Sequence, residues 1–420
     1  MVQEIALPLC YKNHNKNRKT MKKKKLYYMV NRMFYIGLFL LLMMSSCIDK
    51  KAGTGQVVSN PIEVDFVKDG LSGSQILQGG RIVSLSSKED EALIAEMDKL
   101  LVGEDRYFVM DRGGNKVIAF NGEGEYVAST ARYVGQGPDN YIRVIDAVID
   151  NASKKLYVHC DAPYCMMVFD MNLQLLEKIS MDYYMREVAD DDKYIYGLRV
   201  KDASDFGYEL VALDKSDLSA SPRVLLEYSE VIFGARAIGK SLSPYGKGVN
   251  VCLPFDDTIY QISDGKIIAQ YSLDFGSKGV DYSDIKGMSV RELYRSTYGQ
   301  RIWSLVNIYS SDSTLFFGCN REYSFVLNRN TGVCSGYSRY DNDLMPYSTN
   351  QTFPVDGLDN AFAYAWPSSY VMTFKRRVAD ENLDADWKKH LEKYMNAEME
   401  KILDGYEEED NPLIILCEMK

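Results

Sequence analysis

The sequence predicts an all-β fold, a six-bladed β-propeller of four-stranded antiparallel blades, and three observations carry the prediction. The first is a repeat: "RYFVMDRGGNKVIAFNGEGEYVASTARYV" and "KLYVHCDAPYCMMVFDMNLQLLEKISM" overlay with Asp111 on Asp161 and Phe120 on Phe169. Each segment reads strand, polar loop, strand, tight turn, strand, and a repeat of roughly 50 residues built only from strands suggests propeller blades. The second is a run of weaker copies, "KYIYGLRVKDASDFGYELVALDKSDL", "VNVCLPFDDTIYQISDGKIIAQYSLDFG", "STLFFGCNREYSFVLNRNTGVCSGYS" and "NAFAYAWPSSYVMTFK", which bring the count to six between about residues 90 and 375. The third is the terminal "NPLIILCEMK". A ring leaves open edges unless strands from its two ends pair, so a closing strand at about 412–418 is expected to join early-chain strands in one blade.

The first 20 residues have no place in an export signal and are read as a leader or as the product of an early start codon; from Met21 the chain reads "MKKKKLYYMVNRMFYIGLFLLLMMSSC". A basic cluster, Lys22 to Lys25, precedes an apolar run of 12 residues from Met33 to Met44, which is the layout of an export signal. A membrane-spanning helix needs roughly 20 such residues, and Arg32 blocks extension. Residues 1–46 are therefore expected to be leader and signal peptide.

Residues 47–61, with Gly53, Gly55 and Pro61, read as a flexible tether, and 62–420 as the propeller body. Removing 1–46 takes away 9 of the 49 basic and 1 of the 59 acidic residues, leaving 40 against 58. A body that acidic argues against nucleic acid as a partner.

"RYVGQGPDNYIRV" puts Gly135, Gly137 and Pro138 between strand-like runs. A phosphate cradle needs such glycines to open a helix. Here "YIRVIDAVID" follows, β-branched and strand-like, so the stretch is expected to be the connection between two blades. In an up-and-down blade that connection emerges at the same end as the loop between the middle strands. "DRGGN" and "DAPY" should therefore share its face, and Asp111, Arg112, Asn115, Gln136, Asp139, His159 and Asp161 form the candidate ligand-binding set.

Other motifs carry less. "GARAIGKS", Gly234 to Ser241, fits G-x-x-x-x-G-K-[ST], in which Lys240 would meet phosphate and Ser241 magnesium, but the following "LSPYGKGVN" cannot supply the required helix. Nucleotide is not expected to bind. His159 and Cys160 are strand neighbours pointing to opposite faces, which argues against a metal site with Cys165. Cys160 and Cys165 stand as a disulfide or as two buried thiols. Trp303 and Trp366 read as core, since strands favour aromatics. No G-x-S-x-G turn frames a nucleophile. No cofactor or metal is expected.

One helix interrupts the strands. In "NLDADWKKHLEKYMNAEMEKILDGY", Leu383, Trp387, Leu391, Met395, Met399 and Ile402 recur at three- and four-residue steps, predicting a single amphipathic helix over about 381–405.

Met44, Ser45, Ser46 and Cys47 resemble the lipobox of bacterial lipoproteins, in which the cysteine is lipidated and becomes the mature N-terminus. "GQGPDNYIRVIDAVIDNASKKLYVHCDAPYCMMVFDMN", "DTIYQISDGKIIAQYSLDFG" and "EEEDNPLIIL" resemble the NHL-like six-bladed β-propeller lipoproteins of Bacteroidetes envelopes, over nearly the whole mature chain. That resemblance implies a lipid-anchored envelope protein, at the outer membrane, and no catalytic motif. The expectation is a non-catalytic binding or scaffolding module for a glycan, a peptide or an envelope protein. The alternative is an envelope hydrolase or lyase working at the channel mouth.

Overall fold

Strands that are apolar on both faces must be covered on both sides, and the sheets of this protein are stacked so that they are. The structure is a computed structural model that describes residues 56–57, 61–200, 207–229, 232, 234–235, 239–346, 352–358 and 360–420. The signal segment and the lipidation candidate Cys47 lie outside the described residues.

The first antiparallel unit runs Met97–Val102, Arg106–Asp111, Lys116–Asn121, Tyr126–Ser129. The second runs Arg143–Asp150, Lys155–Asp161, Cys165–Asp170, Leu175–Ser180. The third is Met185–Asp190, Tyr194–Val200, Gly207–Asp214, Arg223–Ser229. Leu242–Tyr245, Gly248–Cys252, Thr258–Ser263 and Lys266–Asp274 make the next, and Leu305–Ser310, Thr314–Cys319, Ser324–Asn328 and Val333–Tyr337 the one after. The last combines Thr352–Asp356 and Ala361–Trp366 with strands from both chain ends: Leu413–Met419 pairs with Ala361–Trp366 on one side and with Leu77–Val83 on the other.

The first strand of each unit touches the first strand of the next, and Thr352–Asp356 returns to pair in parallel with Met97–Val102. The protein is mostly β and propeller-like. Alternation along each strand sends odd and even residues to different neighbours. Phe108 and Met110 pack on Leu156, Val158 and Phe169 of the second unit. Tyr107 and Val109 face the other way, onto Val355, Ile414 and Leu416 of the last.

An N-terminal strand, Ile62–Val67, pairs in parallel with two edges at once, Lys266–Asp274 and Val333–Tyr337, and so ties two units together on their outer side. No sequence pattern marks that role.

The helical region departs from expectation in two ways. "PSSYVMTFK", read as part of a strand pair, is helical: after Ala361–Trp366 the chain turns at Pro367 into α1 (Ser368–Val378), whose Val371 and Phe374 are buried. Pro367 starts the helix without loss, because the N–H it lacks would have no intrahelical partner there. The single helix expected over 381–405 is two, α2 (Ala385–Glu392) and α3 (Ala397–Gly405). Asn396 breaks the run, since its side chain accepts the Met399 N–H at 2.8 Å and so caps α3. Leu391, Met399 and Leu403 then pack with Trp366 and Phe374.

Candidate functional site

In antiparallel units of this kind, the end where each first strand begins also carries the middle loops and the unit-to-unit connections. Asp111 closes the strand Arg106–Asp111 there and is fully buried. Its carboxylate accepts the backbone N–H groups of Glu96 (2.8 Å), Gly114 (2.9 Å) and Ala95 (3.2 Å). Asn115 completes the turn at a positive φ of 54°, and its carbonyl accepts the Tyr141 hydroxyl at 3.0 Å. Asp111 builds the loop rather than facing solvent, whereas Asn115 shapes the turn with its backbone and stays partly exposed.

His159 is also fully buried. Its Nδ1 lies 3.2 Å from the Cys165 carbonyl oxygen, and its Nε2 accepts the Met185 N–H at 3.2 Å. The imidazole is thereby a neutral bridge between the second and third units, and burial pulls its pKa down to about 4. Both nitrogens are used, so His159 leaves the set that could meet a ligand.

Arg112 remains half-exposed, its Nη2 3.2 Å from Asp98 Oδ2. Lys240 reaches the same oxygen at 2.5 Å. Asp161 is held by Arg143. Gln136 and Asp139 are exposed and line a groove of about 520 Å³ with Gly137, Pro138, Pro163 and Lys178. The structure thus brings Gln136 and Asp139 together with the loop that follows Asp161, and brings Arg112 to Asp98 and Lys240.

The glycines explain the shape of that groove. A Cβ on Gly137 would stand 2.2 Å from Asn140 Oδ1, and Gly135 has φ 151°. Bare backbone lets the loop fold over Asn140, while the Lys178 ammonium binds the loop carbonyls of Pro138 (2.8 Å) and Asn140 (2.6 Å).

The nucleotide-like motif has a structural use as well, although residues 236–238 lie outside the described residues. Lys240 N–H donates to Asn307 Oδ1 at 2.8 Å and the Asn307 N–H returns to the Lys240 carbonyl at 2.9 Å. Ser241 N–H donates to Glu187 at 2.6 Å. A Cβ on Gly239 would sit 2.6 Å from Val306 Cβ, so glycine lets the backbone leading into Leu242–Tyr245 approach the strand Leu305–Ser310.

Sequence reasoning missed the buried charges along the first strands. Lys99 Nζ stands 2.8 Å from Asp146 and also donates to the carbonyls of Ala147 (2.9 Å) and Val188 (3.0 Å). Asp146 accepts the N–H groups of Val188 (3.0 Å) and Ala147 (2.8 Å). Burial pushes the Asp146 carboxyl up, but Lys99 and Lys240 outweigh it and hold the group below the usual range. Burial likewise pulls Lys240 down, against Asp146, Asp98 and Glu187, which leave it raised. Toward the other end of the strands, Lys215 bridges Asp190 (2.7 Å) and Asp150 (3.2 Å), and burial with the nearby Asp356 carboxylate pushes Asp190 well up. The available signal was a charged residue between apolar neighbours within a strand, as Asp146 in "VIDAVID".

Among the described residues no group of three or more His, Cys, Asp or Glu could hold a metal ion, and no helix is long and apolar enough to cross a membrane.

The family model described as a domain of unknown function, DUF4934, matches residues 61–418. The chain belongs to the DUF4934 family. An exported protein of Bacteroides fragilis shares the DUF4934 chain's fold with a TM-score of 0.63 at 16% identity, over 86% of this chain and 100% of the other. BamB of Moraxella catarrhalis (TM-score 0.33, 11% identity, over 63% of this chain and 65% of the other) and a streptogramin B lyase (0.38, 11%, 69% and 80%) are more distant in fold. No curated protein matches the DUF4934 chain.

Proposed function

We propose that this protein is an exported, lipid-anchored lipoprotein of the outer membrane, and that its strand units close as a six-bladed, NHL-like propeller serving as a non-catalytic binding module. Support for export comes from the signal layout ending at Cys47 and from the fold shared with an exported Bacteroides protein. Support for the ring comes from first strands that touch in cyclic order, and from Leu413–Met419 seated between strands of both chain ends.

The observation that carries the binding reading is the groove between the Gly135–Asn140 connection and the Ala162–Pro163 loop. Gln136 offers both donor and acceptor, Asp139 an acceptor, Ser180 a hydroxyl and Pro163 an apolar wall, a mixture suited to the hydroxyls and ring faces of a saccharide. What weighs against turnover is that His159 has both nitrogens committed, and that Asp111 and Asp146 spend their oxygens on backbone N–H groups or Lys99.

The test is mild-detergent extraction of the tagged protein from the envelope, with mass spectrometry of what stays bound. A saccharide retained by the wild type and lost from a Gln136→Ala, Asp139→Ala double variant supports the groove, and equal retention refutes it. A stoichiometric protein partner in place of a saccharide would make the module a scaffold, and turnover of an envelope polymer would make it a hydrolase or lyase.

A further inference from the structure

The pairing of Lys155–Asp161 with Cys165–Asp170 sets Cys160 directly opposite Cys165. Directly opposed residues of antiparallel strands stand about 4.5 or about 5.5 Å apart at Cα, and both spacings fall within the ~4.4–6.8 Å that a disulfide closes. Both side chains point into one apolar cluster with Phe108, Met110 and Val158. In the structure both are free thiols, and Cys160 Sγ donates to the Val158 carbonyl at 3.7 Å; the Cys160 thiol holds the Cys165 pKa down, while burial, then Cys165, raises that of Cys160. The other described cysteines face different partners across their strand pairs: Cys252 meets Ile259, Cys319 Leu305, Cys334 Leu327 and Cys417 Phe362.

We propose that Cys160 and Cys165 are joined by a disulfide in the exported protein, and that the bond braces the Asp161–Tyr164 loop forming one wall of the candidate groove. The proposal rests on the export reading, since such bonds persist in an oxidising compartment. Both cysteines are buried once the sheets pack, so the bond forms while the hairpin is still open. The oxidant is a disulfide-bearing protein thiol oxidase of the envelope. One cysteine thiolate attacks its disulfide, releasing one oxidant thiolate and leaving a mixed disulfide. The second cysteine thiolate then attacks the sulfur of the first and releases the other oxidant thiolate. Two electrons pass to the oxidant, whose two thiolates take up the two protons given up by the cysteines.

Both residues fall in one tryptic peptide, Leu156–Lys178, which makes the test direct. The full-length protein is expressed in a Bacteroidetes host, fractionated, denatured with N-ethylmaleimide and no reductant, and digested. The expected peptide comes from the envelope fraction, carries no maleimide, and gains two adducts only after reduction. In Cys165→Ser, Cys160 should take one maleimide without reduction. Envelope protein with both thiols alkylated overturns the disulfide and leaves the export reading standing. Protein confined to the cytosol overturns the export reading, and the pair is then tested by refolding in a glutathione redox buffer. There, preferential closure of Cys160 to Cys165 supports the geometry, and its absence overturns it.

Discussion

Asp146→Ala is expected to destabilise this fold strongly. The carboxylate and its partner Lys99 have side chains only 1% and 3% exposed. Losing one member leaves a buried ammonium without its counter-ion, which costs about 3–5 kcal/mol. The Val188 and Ala147 N–H groups lose their acceptor as well, so the upper part of that range is expected. For a folded body of about 360 residues, an unfolding entropy of ~2.1 cal/mol/K per residue gives about 1.3 °C of melting temperature per kcal/mol, and so a fall of roughly 5–7 °C. The assay is differential scanning calorimetry at neutral pH, beside Lys99→Met and the Lys99→Met, Asp146→Ala double variant. The double variant should recover part of the loss, because it buries no unpaired charge. A fall of under about 2 °C, or simple additivity of the two single changes, would refute the picture of a charge pair locking the first three units together. The sign with pH follows from Asp146 being held low: its contribution is present above the ordinary carboxylate range and is lost as pH falls through the folded value.

His159, lowered from about 6.5 to about 4, leaves the unfolded chain binding more protons between those values. Stability should therefore fall as pH drops through that window, by about 3 kcal/mol at ~1.4 kcal/mol per unit. His159→Gln should flatten that slope in pH-dependent denaturation, and a His159 imidazole NMR signal, assigned by its loss in that variant, titrating near 6.5 would contradict it. Lys240→Met should lower the melting temperature by several degrees through the loss of Asp98, while millimolar Mg-ATP should leave the wild type unshifted; a nucleotide-induced rise would reopen the phosphate reading. Asn396→Ala should cost about 1 kcal/mol by uncapping α3, read from urea midpoints, and no change would show that the break between α2 and α3 has another cause.

The candidate face was legible in part. Gly135, Gly137 and Pro138 announced a connection between strands, and Gln136 and Asp139 do lie exposed on it beside Pro163. Asp111 and His159 look like site residues in one dimension because each is polar and adjoins a loop. Which way a strand residue points depends on the neighbour its face meets, and both turn inward to backbone groups. The split between α2 and α3 was missed for a related reason: apolar spacing continues across 393–396, whereas a single cap hydrogen bond ends the register.

What the sequence by itself determined was local: strand-rich units on a repeat of roughly 50 residues, turns at glycines and prolines, an acidic body, and an N-terminal signal layout ending at Cys47. Those properties depend on neighbours a few residues apart, through backbone preference and two-residue alternation. The tertiary structure alone decided which charges meet. Lys99 and Asp146, Asp98 and Lys240, and Ser241 and Glu187 come from different units and touch because first strands gather side by side. A buried charge must find its partner in space, and spacing along the chain records nothing of that partner.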